Sequence, residues 1–116
     1  VMGATGGGRD TWKRPVMGSL ADTHCDRVIL ANEDPYDEDP RAIVDALAEG
    51  MKRATEIIMD RRAAIRRGLE RAHTGDAVLI TGKGTDPCIC WPRGEKIPWS
   101  DADIAREELT KLLRTT

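Results

Sequence analysis

The sequence is poor in cysteine, histidine and aromatic residues. Its 116 residues include three cysteines and two histidines. This set is too small and too scattered for a typical zinc site, so we expect no metal site in the chain. Cys88 and Cys90 lie two positions apart, where a strand would place them on one face without a bond between them. We therefore predict that these two and Cys25 are free thiols, which is typical of a cytoplasmic protein.

Long apolar runs and an excess of basic residues are also missing. No run approaches the roughly 18 apolar residues of a membrane helix, and no signal peptide is visible, so we expect no membrane partner. A net charge of −2 argues against general binding of nucleic acid. The tryptophans, without a basic groove, favour packing roles over base stacking. Neither histidine belongs to a nucleophile motif, so we predict no catalytic residue in the chain.

Apolar periodicity predicts alternating strands and helices. Residues 27–31 and 77–81 are short apolar runs typical of buried parallel strands, and residues 55–59 form a weaker one. Helical spacing predicts four helices, at residues 15–24, 41–50, 61–73 and 102–113. The last of these helices should bury Ile104, Ala105, Leu109, Leu112 and Leu113, and the arginines of the third should mainly face solvent.

Residues 88–91 and 96–99 resemble a hairpin with Gly94 in its turn. The predicted fold is therefore α/β and Rossmann-like: a mostly parallel sheet flanked by helices, followed by a C-terminal β-hairpin and a final helix. At this length, residues 1–116 should form a single domain.

Three loops follow the predicted strands, at residues 3–13, 32–38 and 82–86. Ligands of open α/β sheets bind outside the carboxyl ends of the strands, so the loops should meet at one edge. Two loops combine glycine with lysine or arginine and the third is mostly acidic, which suits a phosphate or carboxylate beside an amine. The first loop is not a Walker A motif, and by itself it also fits a glycine-rich surface turn.

Taken together, these loops resemble the Mur ligases. Residues 6–15 are similar to the family's GG-x-RD-x-x-KRP segment. Further similarities follow in the family's order: residues 33–40 to D-N-P-R-x-E-x-P, 60–65 to D-R-x-x-A-I, 82–86 to G-K-G-H-E and 97–101 to I-P-F-x-D. Within the family, the chain looks most like the C-terminal domain of the MurE-like ligases that add the third peptide residue to UDP-N-acetylmuramoyl-L-Ala-D-Glu.

The resemblance implies an ATP- and Mg²⁺-dependent ligation. ATP phosphorylates the carboxylate of the UDP-N-acetylmuramoyl-dipeptide, and the amine of a diamino acid then attacks the acyl phosphate to form an amide. In the family, a central domain binds most of the ATP and Mg²⁺, and an N-terminal domain holds the UDP-sugar. The resemblance also implies that part of this domain precedes Val1, and that the chain alone does not catalyse ligation.

The family's site residues carry over position by position. Arg9, Gly82 and Asp86 would bind the incoming amino acid, and Asp10 and Lys13 would lie near the ATP phosphates. Asp34 and Tyr36 replace the Asn and Arg of D-N-P-R, whose Arg binds the distal carboxylate of meso-diaminopimelate; Thr85 and Asp86 replace the His and Glu of G-K-G-H-E. A pocket with added acid and no cation should prefer L-lysine or L-ornithine.

Two other functions remain possible from the sequence. One is a related ATP-dependent amino acid ligase of the folylpolyglutamate or cyanophycin type. The other is a non-catalytic nucleotide- or anion-binding module.

Overall fold

The computed structural model describes residues 1–53 and 55–115. Helices and strands alternate along the chain, as the apolar periodicity predicts. In chain order they are α1 (Lys13–His24), β1 (Ile29–Leu30), α2 (Pro40–Glu49), β2 (Glu56–Ile57), α3 (Arg61–Arg71), β3 (Cys88–Cys90), a 3-10 turn (Pro92–Gly94), β4 (Lys96–Pro98) and α4 (Asp101–Thr115).

A small parallel sheet forms the centre of the fold. Strand β1 pairs with β2 on one side, with Ile29 opposite Glu56, and forms a parallel bridge to Met2 on the other. Val1 extends this arrangement outward: its amino group donates to the Leu79 carbonyl at 2.8 Å, and its carbonyl accepts from the Thr81 N–H at 3.0 Å. The spatial order is therefore β2, β1, residues 1–2 and residues 79–81, all parallel.

The outermost segment corrects one prediction. Residues 77–81 were expected to form a buried strand, but they have no regular strand structure and Leu79 is 68% exposed. The physical reason is position, because this segment lies at the edge of the sheet and its backbone is bonded to Val1 alone in the described sheet. Its apolar composition reflects partial burial of Val78 and Ile80.

The core lies on both faces of β1. On one face, Leu30 and Ala4 pack against the buried residues of α2, which are Ile43, Val44 and Leu47. On the other face, Ile29 and Ala31 pack against Ala64 of α3. Burial of each large aliphatic side chain contributes about 1.5–3 kcal/mol, and the prediction of a strand covered on both faces is confirmed.

Local signals set the helix starts. Asp39 accepts a hydrogen bond from the Arg41 N–H at 3.0 Å, and Asp60 accepts one from the Ala63 N–H at 3.1 Å. Both are side-chain caps of the first helical turn. Helix α1 begins two residues earlier than predicted, at Lys13, so Pro15 lies within its first turn.

The inward face of α4 was predicted incorrectly. Ile104 is buried as expected, but Leu109 and Leu113 are exposed and Glu108 is buried instead. Glu108 is buried because α3 presents Arg62 and Arg66, which bind its two carboxylate oxygens at 3.0 Å each. These two arginines of α3 therefore bind α4 and do not simply face solvent.

The C-terminal hairpin is present as predicted. Strands β3 and β4 are antiparallel, with Ile89 opposite Ile97, and Gly94 takes a positive φ of 72° in the turn between them. Cys88 and Cys90 lie on one face of β3, and all three cysteines are free. Among residues 1–53 and 55–115, no helix is both long and apolar enough to cross a bilayer.

Candidate functional site at the carboxyl edge of the sheet

The strand-end loops meet at one edge of the sheet and enclose a groove of about 670 Å³. The convergence expected from the sequence is therefore observed. Five predicted site residues line the groove: Arg9, Asp10, Lys13, Tyr36 and Gly82. Glu33, Arg14, Met17 and Thr81 line it as well.

The glycine-rich loop is fixed against the acidic loop. The Gly6 N–H donates to the Asp34 carbonyl at 2.6 Å. A Cβ at Gly6 would collide with the carbonyl group of Pro35, so only glycine allows this close approach. Gly7 and Gly8 follow with φ values of 91° and 75°, and a Cβ at either would meet open space. The backbone is therefore packed closely against the acidic loop at Gly6 and has free space beside it at the next two residues. Such free space beside the backbone suits an anion-binding loop.

Arg14 also fixes the glycine-rich loop through hydrogen bonds. This buried guanidinium donates to the two carboxylate oxygens of Glu38 at 2.5 and 3.0 Å, and to the Thr5 carbonyl at 3.1 Å. Glu38 in turn accepts from the Gly8 N–H at 3.1 Å. The hydrogen bond from Arg14 lowers the pKa of Glu38. The loop is therefore preorganised before any ligand arrives.

Exposed charge lies at the start of α1. Lys13 forms an ion pair with Asp10 at 3.3 Å, and its ammonium lies 5.6 Å from the centre of the Trp12 ring. Asp10 has a φ of 51°, an unusual conformation for a residue other than glycine. With exposed Arg9 beside them, these residues give this part of the groove two cations and one carboxylate.

Asp34 does not line the groove. Its carboxylate is bound to the ammonium of Lys83 at 2.7 and 2.8 Å, and it also accepts from the Cys90 N–H at 2.8 Å. Burial opposes the charge on Lys83, but the hydrogen bond to Asp34 and the negative charges of Asp34 and Asp86 outweigh it, so the pKa of Lys83 is raised. Asp34 was counted as an added acid facing the substrate. In the structure, a buried cation from the next loop balances its charge.

Tyr36 and Asp86 lie in different places. Tyr36 lines the groove with a φ of 52°, its side chain exposed and its N–H bonded to the Cys90 carbonyl at 3.1 Å. A hydrogen bond with Cys90 raises the pKa of Tyr36. Asp86 lies outside the groove, 3.4 Å from the ammonium of Lys83, and lines a separate shallow cavity with Trp99. The structure thus brings Tyr36, but not Asp86, to the groove.

Glu33 was missing from the predicted site residues. Its side chain is buried and lines the groove, and no other described residue donates a hydrogen bond to its carboxylate. Gly82, with a φ of 107°, lies against it so closely that a Cβ there would collide with the carboxylate. Burial raises the pKa of Glu33. The sequence signal was its place three residues after the end of β1, at the first position of the segment resembling D-N-P-R.

Residues that could chelate a metal are not clustered. In the described part of the chain, no group of three or more histidine, cysteine, aspartate or glutamate side chains could hold a metal ion. The carboxylates nearest the groove are instead bound to arginine or lysine, as with Glu38 and Asp34, or isolated, as with Glu33.

Comparison with known proteins identifies the family. Residues 1–84 match the family model described as "Mur ligase, glutamate ligase domain". The chain is 40% identical over 94% of its length to the UDP-N-acetylmuramoyl-L-alanyl-D-glutamate–2,6-diaminopimelate ligase of Aquifex aeolicus. It is 42% identical over 90% of its length to the ligase of the same name from Chromobacterium violaceum.

A solved structure agrees with the sequence matches. A structure of a UDP-N-acetylmuramoyl-L-alanyl-D-glutamate–2,6-diaminopimelate ligase superimposes with a TM-score of 0.87 at 31% sequence identity. The match covers 97% of this chain and 23% of that one. The chain likewise spans 23% of the Aquifex aeolicus relative and 21% of the Chromobacterium violaceum relative. The order of the motifs, the geometry of the loops and these matches agree, and the chain belongs to the Mur ligase family.

Proposed function

We propose that this chain is the C-terminal domain of an ATP-dependent ligase that joins a diamino acid to UDP-N-acetylmuramoyl-L-Ala-D-Glu during cytoplasmic peptidoglycan synthesis. The observation that carries the proposal is the groove, where a preorganised glycine loop, two exposed cations and a buried carboxylate meet. Relatives named for this reaction match nearly the whole chain.

Different residues of the groove suit different parts of the reaction. Lys13 and the open backbone at Gly7 fit the phosphates of ATP, while Asp10 orients Lys13 through their ion pair. ATP supplies the phosphoryl group that activates the dipeptide carboxylate. We assign most of the Mg²⁺ ligands to the remainder of a ligase of the relatives' length.

Arg9, Glu33 and Gly82 suit the amino acid. Arg9 is exposed in the groove and available for a carboxylate, whereas Arg14 is already bound to Glu38. Glu33 and the backbone of Gly82 suit an amino group, because a buried carboxylate without an internal donor binds a cation strongly. Asp86 lies beyond the groove and would reach the substrate only after a movement of its loop.

Two features point to different diamino acids. The relatives are named for 2,6-diaminopimelate. Tyr36 replaces the arginine expected to bind its distal carboxylate, which favours L-lysine or L-ornithine. Asp34 no longer supports that preference, because Lys83 neutralises it. The proposal is therefore a diamino acid whose distal end contacts Tyr36.

A phosphate-release assay tests the proposal. The complete polypeptide that carries this sequence is given ATP, Mg²⁺, UDP-N-acetylmuramoyl-L-Ala-D-Glu and one of meso-diaminopimelate, L-lysine or L-ornithine. Phosphate release that depends on the dipeptide and on one diamino acid is expected. Release with L-glutamate and a folate instead, or ATP binding with no turnover, would overturn the proposal.

Tyr36→Arg then identifies the distal contact. If the wild type prefers L-lysine, this variant should shift the ratio of kcat/KM towards meso-diaminopimelate by about tenfold, because it restores a cation for the distal carboxylate. If the wild type prefers meso-diaminopimelate, the variant should lower the KM for it. Leu20→Arg, which adds the same single positive charge at an exposed position of α1 outside the groove, is the control.

A further inference from the structure

Arg61 makes a set of contacts unlike those of the other arginines of α3. It is the first residue of that helix and is 2% exposed. Its guanidinium binds both carboxylate oxygens of Asp101, at 2.9 and 2.8 Å. It also donates to the Asn32 carbonyl at 3.2 Å and to the Thr81 carbonyl at 2.8 Å.

These two carbonyls lie immediately before groove residues. Asn32 precedes Glu33, and Thr81 precedes Gly82, whose backbone lies against the Glu33 carboxylate. One side chain therefore joins the second and third loops of the groove at the point where each leaves the sheet. No other arginine of α3 binds either carbonyl in the described part of the chain.

The partner of the Arg61 guanidinium on α4, Asp101, is also held in place. Asp101 is buried at the start of α4 and accepts a hydrogen bond from the Trp99 indole N–H at 2.7 Å. Burial raises the pKa of Asp101, but the hydrogen bonds from Arg61 and Trp99 outweigh it and the pKa is lowered. The carboxylate thus stays charged and holds the guanidinium in one orientation.

We infer that Arg61 is a positioning residue for the amino acid side of the groove, acting through the backbone of Asn32 and Thr81. The inference rests on the proposed function. A planar guanidinium can bind a carboxylate with one edge and still reach two carbonyls. A lysine ammonium carries the same charge but cannot span these four contacts.

Arg61→Lys and Arg62→Lys form a matched pair for kinetics of the complete polypeptide. Arg62 is the next residue of the helix and bonds to Glu107 and Glu108 of α4, but to neither loop. Arg61→Lys should raise the KM for the diamino acid by about tenfold or more, because a small misplacement of a binding group weakens its contact, and change the KM for ATP less than about twofold. Arg62→Lys should change neither.

Asp101→Asn keeps the test decisive if Arg61→Lys does not fold. It leaves both carbonyl contacts in place but weakens the hold on the guanidinium, so the KM for the diamino acid should rise less than in Arg61→Lys but more than in Arg62→Lys. A KM for the diamino acid equal to that of Arg62→Lys would overturn the inference. So would parallel increases in every KM that follow a loss of thermal stability.

Hydrogen–deuterium exchange separates this inference from the proposed function. Peptides that cover residues 31–36 and 79–84 should exchange faster in Arg61→Lys than in Arg62→Lys, whether or not the polypeptide shows ligase activity. If the wild-type polypeptide has no ligase activity but these peptides still exchange faster in Arg61→Lys than in Arg62→Lys, the proposed function is wrong and the link between the loops stands. Equal exchange in the two variants would overturn the link itself.

Discussion

The negative charge of Glu33 is disfavoured by burial. Its side chain is buried beside Gly82, and burial raises its pKa above the ordinary value of 4.5. Arg61 and Lys83 oppose this shift, and Asp34 and Asp101 add to it. The folded state therefore binds the proton of Glu33 more tightly than the unfolded state does. A pKa perturbed in this way is typical of residues in binding and catalytic sites.

Glu33→Gln should stabilise the folded chain at neutral pH. In the wild type, the contribution of Glu33 to stability is fully present below its unfolded pKa. This contribution is lost as pH rises through its folded pKa. The glutamine side chain does not ionise, so the free energy of unfolding of the variant should exceed that of the wild type at about pH 7 and approach it at about pH 4. Urea denaturation across this range measures the difference.

The control is Glu49→Gln, at an exposed position at the end of α2. It should leave the free energy of unfolding nearly unchanged at both pH values. A Glu33→Gln variant that is less stable than the wild type at neutral pH would contradict this account. In the ligase assay, the same variant should raise the KM for the diamino acid.

Helices α3 and α4 are joined by several ion pairs. Glu108 accepts from Arg62 and Arg66 and lies 3.4 Å from the ammonium of Lys111. The hydrogen bond from Arg62 is the largest cause that lowers the pKa of Glu108. An acidic residue that interrupts the apolar face of α4 is therefore one of its contacts with α3.

Glu108→Gln should destabilise the packing of these helices at neutral pH. A lowered folded pKa means that the stability from Glu108 is present above the unfolded pKa and is lost as pH falls through the folded pKa. The fall in thermal midpoint should thus be largest near neutral pH and should fade in acid. Glu107→Gln, which removes the exposed partner of Arg62, should have a smaller effect. Equal effects of the two variants would contradict this view.

At the scale of the whole molecule, the buried pair of Lys83 and Asp34 joins the third loop to the second. Cys90 of the hairpin completes it through its N–H. The pair thus links three separate parts of the chain behind the groove. A pair of this kind stabilises the fold modestly, but the loss of one partner leaves an uncompensated buried charge.

Lys83→Met should lower the free energy of unfolding by about 3–5 kcal/mol, because Asp34 would stay buried without a cation. Adding Asp34→Asn should restore part of this loss, since the remaining amide carries no charge. Asp34→Asn alone should have a smaller effect, because Asp86 lies 3.4 Å from the Lys83 ammonium. A double-mutant cycle by urea denaturation measures the coupling, and additive losses would contradict it.

The sequence by itself determined the α/β alternation, the two-sided burial of β1, the hairpin and the meeting of three loops at one edge. Each of these follows from short-range signals: apolar periodicity, caps, turn residues and the rule for strand ends. The ordered motifs also identified the family, and five of the residues that they marked line the groove.

Only the tertiary structure decided how the charges pair. Lys83 and Asp34 are 49 positions apart, Arg61 and Asp101 are 40 apart, and Arg66 and Glu108 are 42 apart. Periodicity distinguishes buried from exposed positions within one element, but it does not show which distant partner neutralises a buried charge. For that reason the sequence did not show that Lys83 pairs with Asp34, that Glu108 is buried against α3 or that Arg61 is buried, and it missed the carboxylate of Glu33.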